Sequence, residues 1–166
     1  MFAVKLIDAK DKEELYAGLR QQCAVLLHGE RDWLANLANT ASLVYHLLPG
    51  LNWAGFYLFR KGQLVLGPFH GKPACVRIDL GRGVCGTAAS RQETVVVPDV
   101  HQFPGHIACD AASRSEVVVP LLAGERLLGV LDLDSPELER FDHTDAQKLE
   151  ELARMLVDGS DWPNNW

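Results

Sequence analysis

The sequence predicts an α+β fold, a six-stranded antiparallel sheet with helices packed mainly on one face. Three observations carry that expectation. The chain opens with two stretches of helical spacing, continues with short apolar runs separated by tight turns, and closes on one amphipathic stretch. Consecutive strands joined by tight turns favour antiparallel pairing, and such a sheet takes its helices on its buried face.

The first helix is expected over residues 12–28, where Leu15, Leu19, Cys23, Leu26 and Leu27 recur at helical intervals. The second is expected over 33–48, on Trp33, Leu34, Leu37, Ala41, Val44 and Leu48. Pro49-Gly50 ends it by removing an N–H and supplying a flexible position. Residues 52–59 (NWAGFYLF) and 63–66 (QLVL), with a Lys-Gly turn between them, read as a hairpin. Further strands are expected over 74–78, 94–97, 116–122 and 127–134, the last two joined by the turn AGER. A short helix is expected over 84–91, and a closing amphipathic helix from Asp142 or Thr144 to Val157. The tail DGSDWPNNW has no period, and its two Trp either pack on the body or hang free.

A chain of 166 residues buries roughly 70% of its unfolded surface, enough for a core without staples. Hydrophobic residues make up 48% and charged residues 23%, values that exclude a disordered or fibrous chain. No linker composition or internal repeat divides it, so one domain is expected. Sixteen Lys and Arg against 22 Asp and Glu leave a formal charge of −6, which argues against nucleic acid as a partner. No apolar run approaches the ~18 residues of a membrane span. The opening MFAVKLIDAKDKEELY also lacks the basic and apolar regions of a signal peptide. A soluble, cytoplasmic protein without membrane contact is expected.

Four cysteines, Cys23, Cys75, Cys85 and Cys109, are too few for a disulfide scaffold and should rest as thiols in a reducing compartment. Three sit in or beside irregular segments. Cys75 is expected to open a strand, Cys85 to open a helix after the turn GRGVCG (81–86), and Cys109 to lie on the long loop between Pro98 and Ser115. Loops of that length in a compact domain are usually functional lids, and Phe103, Ile107 and Cys109 give this one apolar anchors. The turn at 81–86 suits an anion at its N–H groups, and equally suits a plain connector that needs glycine geometry. A helix N-terminus, or charge from Arg82 and His106, lowers a thiol's pKa and makes it reactive. Cys23, on an apolar helix face, reads as a small buried hydrophobe. His70, Cys75, His101, His106 and Cys109 include one workable zinc spacing but no CxxC pair, so no metal or other cofactor is expected.

In VLDLDS, alternation puts Val130, Asp132 and Asp134 on one sheet face and Gly129, Leu131 and Leu133 on the other. Glu116, heading the neighbouring strand, can approach the two aspartates across the hairpin. Clustered acids raise at least one pKa, giving a proton donor near neutrality and a seat for an ammonium group. Asp134 alone would read as the start of the turn at Ser135-Pro136. Trp53 and Tyr57, four apart on one strand face, read as core or as an aromatic wall for a small apolar group.

The motifs NWAGFYL (52–58), LVLGPF-x-GK-x-ACVRI (64–78), GRGVCGTA (81–88), DVHQFPGHIACDAASRSE (99–116) and GVLDLDS (129–135) resemble the free methionine-(R)-sulfoxide reductase family, small enzymes made of a single GAF domain. The resemblance covers residues 30–154 and implies a single GAF domain over 1–166, with 1–11 and 159–166 as peripheral tails. It implies thiol-dependent reduction of free L-methionine-(R)-S-oxide through a cysteine sulfenic acid and an intramolecular disulfide. Cys109 matches the attacking cysteine, Cys75 the usual resolving cysteine and Cys85 a third cysteine able to exchange with them. Glu116, Asp132 and Asp134 match the acids that bind substrate and donate protons, and Trp53 and Tyr57 match the aromatic walls. Thioredoxin is the implied reductant, and a homodimer is expected by analogy with paired GAF domains. The competing reading is a GAF small-molecule sensor without catalysis, since one fold hosts both. Three placed thiols and three acids favour the enzyme.

Overall fold

In the segment GVLDLDS (129–135) successive side chains leave the backbone on opposite sides, and each side meets a different core. Leu131 and Leu133 enter a cluster shared with three helices, whereas Val130 joins a second cluster on the opposite face. The structure is a computed structural model that describes residues 2–106 and 110–164. Its helices are α1 (Lys12–Leu27), α2 (Trp33–Leu47), α3 (Gly83–Arg91) and α4 (His143–Asp158). Its strands are β1 (Trp53–Arg60), β2 (Gln63–Gly71), β3 (Arg77–Asp79), β4 (Val95–Val97), β5 (Ser115–Ala123) and β6 (Arg126–Ser135). They form one sheet in the order β3-β2-β1-β6-β5-β4, every neighbouring pair antiparallel.

The α+β expectation is met. Helices α1, α2 and α4 cover one face, where Leu19, Leu37, Val44, Leu149 and Leu156 pack against Ala54, Phe56, Val117 and Val119. The other face carries α3 and the segments around residues 72–76, 98–106 and 110–114, over Trp53, Tyr57, Val118 and Val130. Each long helix starts on an aspartate: Asp11 accepts from the Glu14 N–H, Asp32 from Ala35, and Asp142 forms a capping box with Asp145. Fully buried Asp145 also accepts from the Tyr16 hydroxyl at 2.8 Å and pairs with Arg140 at 3.1 Å and with Lys12. That network fastens α1 to the start of α4. Among the described residues, no helix is long and apolar enough to cross a membrane.

Three details differ from expectation. The second strand runs on to Gly71 rather than stopping at Leu66. The strand expected over 74–78 is reduced to Arg77–Asp79, so Cys75 precedes a strand instead of opening it. Ahead of β3, the Lys72 carbonyl accepts from Trp53 Nε1 at 3.1 Å and the Cys75 carbonyl from the Tyr57 hydroxyl at 3.0 Å, while the Val76 carbonyl still takes a backbone bond from the Leu66 N–H at 3.0 Å. In the long loop, Val100–Gln102 forms a 3-10 turn and Phe103 packs on the second cluster, while Ile107 and Cys109 lie outside the described residues. Of the tail tryptophans, Trp162 stacks on Trp33 with ring centroids 5.9 Å apart, and Trp166 lies outside the described residues.

Gly129 on β6 lies tight against β1, where an added Cβ would meet the Tyr57 carbonyl oxygen at 2.2 Å and the Leu58 Cα at 3.0 Å. These are backbone atoms, so no flexible side chain can yield. Gly129→Ala is expected to cost about 3 kcal/mol of stability in urea unfolding. A loss below about 1 kcal/mol would show that β1 and β6 can separate there.

Candidate active site

The register of β6 assembles the site. Asp134 stands opposite Trp53 on β1 and opposite Glu116 on β5, and Asp132 stands opposite Gly55 and Val118. Three acids and the Trp53–Tyr57 pair therefore share one sheet face, at one end of the three central strands. They line a cleft closed by Ala74 and Ile78 on one side and by Arg82, Gly83, Val84 and Cys85 on another, with His106, Asp110 and Ser113 at its lid.

Burial governs the electrostatics. Glu116 and Asp132 are 6% and 5% exposed. Desolvation pushes Glu116 well above the usual carboxylate range, and the charges of Asp132 and Asp134 add to the effect. Asp134 is likewise raised, by burial and then by Asp132, against a lowering hydrogen bond from Ser113. Desolvation lifts Asp132 to about 7, although hydrogen bonds with Cys85 and Glu116 hold it down. The cluster thus keeps protons at neutral pH, because three charges this close cannot coexist away from water. Asp132 Oδ1 is fully buried with no hydrogen-bond partner among the described residues.

The aromatic wall is built of three rings. Trp53 stacks on Tyr57 at 5.9 Å and on Phe69 at 5.3 Å. Its polar tips are spent on the backbone at Lys72 and Cys75, so the wall also positions the segment that carries Cys75.

The cysteines behave differently from one another. Cys75 is disulfide-bonded, while Cys23 and Cys85 are free thiols. Cys23 is buried beside Thr40 in the helical core, as its helix face suggested. Cys85 sits in the first turn of α3, 3.9 Å from Glu116 Oε1. The expectation that this helix start activates its thiol is overturned. Burial raises the Cys85 pKa well above its ordinary value, and Asp132 and Glu116 raise it further, so desolvation and carboxylates outweigh the helix dipole. His106 supplies no compensating charge. Its Nε2 is 3.7 Å from Glu116 Oε2, but burial and His101 push its pKa down and favour the neutral ring. The turn at 81–86 acts as a connector: Gly81 and Gly83 have positive φ, and the Gly81 N–H donates to Gly86 O.

Sequence reasoning passed over the residues that fasten the lid. Asn52 Nδ2 donates to Asp110 Oδ2 at 3.3 Å and to Ser113 Oγ at 3.0 Å, and Lys72 Nζ pairs with Asp110 Oδ1 at 3.4 Å. Asp110 also accepts from the Ala112 N–H, and that bond leads the effects holding its carboxyl low. Asp-x-Ala is a local turn signal, but nothing in it points to partners some 40 to 60 positions away.

The GAF domain family matches residues 18–157, a span that holds every site residue named above. The free methionine-R-sulfoxide reductase of Escherichia coli (strain K12) is 53% identical over 146 residues, covering 88% of each chain. That of Saccharomyces cerevisiae is 46% identical over 154 residues, covering 88% of this chain and 86% of the relative. The X-ray structure of free methionine-R-sulfoxide reductase from Neisseria meningitidis, in complex with its substrate, matches with a TM-score of 0.91 at 48% identity, covering 96% of this chain and 95% of that one. The chain belongs to the GAF domain family and, within it, to the free methionine-R-sulfoxide reductases.

Proposed function

We propose that this chain reduces free methionine-(R)-sulfoxide to methionine in the cleft between the aromatic wall and the three acids, with Cys109 as nucleophile. The observation that carries the reading is the protonated carboxylate cluster facing that cleft. A sulfoxide oxygen leaves only when protonated, so a carboxylic acid that keeps its proton at neutral pH is the group the reaction needs. Trp53 and Tyr57 enclose the methyl and sulfur end of the substrate, and the partnerless Asp132 Oδ1 receives its ammonium.

Protonation by Glu116 or Asp134 makes the sulfur electrophilic, and the Cys109 thiolate attacks it. The sulfur–sulfur bond so formed then breaks as the protonated oxygen passes from the substrate sulfur to Cys109 Sγ, releasing methionine with its lone pair restored and leaving a cysteine sulfenic acid. The Cys75 thiol displaces that oxygen as water and forms a disulfide. A dithiol such as thioredoxin, near about −270 mV, reduces the disulfide and becomes oxidised itself, which suits a cytoplasmic setting. Cys75 being disulfide-bonded while Cys85 is a free thiol of raised pKa supports Cys75 as the resolving residue. An amino acid within a peptide lacks the free ammonium and would leave Asp132 unpaired, which supports selection of the free substrate.

Incubation with L-methionine-(R)-sulfoxide and dithiothreitol separates this reading from that of a ligand sensor. A sensor binds without releasing methionine. Cys109→Ser is expected to lose turnover even with dithiothreitol, and activity within tenfold of the unsubstituted protein would refute the assignment of the nucleophile.

Cys75→Ser is expected to release one methionine per chain and then stop when thioredoxin is the reductant, leaving a sulfenic acid that dimedone traps. Undiminished cycling would assign resolution to Cys85.

For the acids, raised pKa values place the proton donor on the alkaline side of the profile. Turnover should fall as pH rises through the cluster's titration. Glu116→Gln and Asp134→Asn are expected to lower kcat by about 10²-fold or more, and Asp132→Asn to act chiefly on KM. Kinetics from pH 5 to 9 check this. Unchanged kcat and KM in all three variants would remove the acids from the mechanism.

A further inference from the structure

We propose that Cys85, Glu116 and Asp132 form a binding site for a thiophilic divalent cation of the Zn²⁺ class, and that this cation and the sulfoxide substrate exclude one another. One ligand atom from each residue lies within 4.8 Å of the other two, and Cys85 Sγ is 3.9 Å from Glu116 Oε1. In a tetrahedral zinc centre, bonds of about 2.3 Å to sulfur and about 2.1 Å to oxygen set neighbouring ligand atoms about 3.4–3.7 Å apart. Small side-chain rotations close that gap.

A second observation points to a ligand here. Asp132 lines the cleft, and its Oδ1 is fully buried and accepts no hydrogen bond among the described residues. A buried carboxylate oxygen without a donor is costly, and a cation satisfies it. Three protein ligands leave a fourth position open toward the cleft for water, with His106 at its edge, 3.7 Å from Glu116 Oε2. One thiolate with two carboxylates suits Zn²⁺, and Co²⁺ as its spectroscopic substitute. Mg²⁺ and Ca²⁺ demand six or more oxygens.

On binding, the metal–sulfur bond replaces the thiol S–H, and the metal–oxygen bonds replace any carboxyl protons, all released to solvent. Cys85 is free while Cys75 is in a disulfide, so the site exists in the oxidised protein as well. Exclusion of the sulfoxide rests on the proposed active-site reading, because the same carboxylates receive the ammonium and hold the acid's proton. The cation removes both.

Co²⁺ and Zn²⁺ binding to the whole chain, prepared without reductant and verified to hold two free thiols after denaturation, tests the proposal. One Co²⁺ per chain with a thiolate-to-metal charge-transfer band is expected, displaced by Zn²⁺ and lost in Cys85→Ser. Asp132→Asn keeps the thiol and is expected to weaken binding at least tenfold, an independent reading should Cys85→Ser fail to fold. Methionine sulfoxide should bleach the band. No band at stoichiometric Co²⁺, a band that survives Cys85→Ser, unchanged affinity in Asp132→Asn, or simultaneous binding of metal and sulfoxide would each overturn the proposal. Absence of turnover in the metal-free protein with the Cys85-dependent band intact would instead sink the reductase reading and leave the cation site standing.

Discussion

The antiparallel register of β6 between β1 and β5 is the constraint on which the rest of the structure depends. It brings Asp134 against both Trp53 and Glu116, and a slip of one residue would turn Asp132 and Asp134 into the helical core. What forbids the slip lies on the opposite face. Leu131 and Leu133 must stay under α1, α2 and α4 with Phe56, Val117 and Val119, and Gly129 must stay where Tyr57 O leaves no room for a side chain. Apolar burial on one side of the sheet thereby holds three carboxyls out of water on the other.

That arrangement has an electrostatic consequence and a mechanical one. Electrostatically, acids without solvent or cations nearby keep their protons, and the same desolvation makes Cys85 a poor thiolate. The buried thiol beside the acids is thus suited to holding a proton and poorly suited to acting as a free thiolate. Mechanically, Trp53 and Tyr57 use their only polar atoms to anchor the carbonyls of Lys72 and Cys75. The aromatic wall thus also fixes the segment bearing the disulfide-bonded Cys75. Only Val76, next to Cys75, keeps a backbone bond to β2 ahead of the short β3.

The lid combines an apolar seat, Val100 and Phe103 on the second cluster, with polar contacts at its far end. Asn52 at the head of β1 holds both Asp110 and Ser113, and Lys72 reaches Asp110 from the end of β2. Each contact is exposed or partly buried and modest in energy.

Local chemistry made much of this legible in the chain alone. Apolar spacing at 3.6 and 2 residues located every helix and nearly every strand. Asp142 marked the start of the closing helix, and the alternation in VLDLDS separated the acids from the leucines before any partner was known, whereas the caps Asp11 and Asp32 were passed over. The turn at 81–86 and the tail Trp162 were ambiguous because both outcomes satisfied the same local rules. Tertiary structure alone decided that Cys75 lies off the strand, that Cys85 is deactivated despite its helix start, and that Asn52, Lys72, Asp110 and Ser113 join across 38 to 61 positions. The physical reason is common to all three. Periodicity and capping are properties of neighbouring residues, whereas desolvation and the choice of a hydrogen-bond partner depend on which distant segments close over a group and exclude water from it.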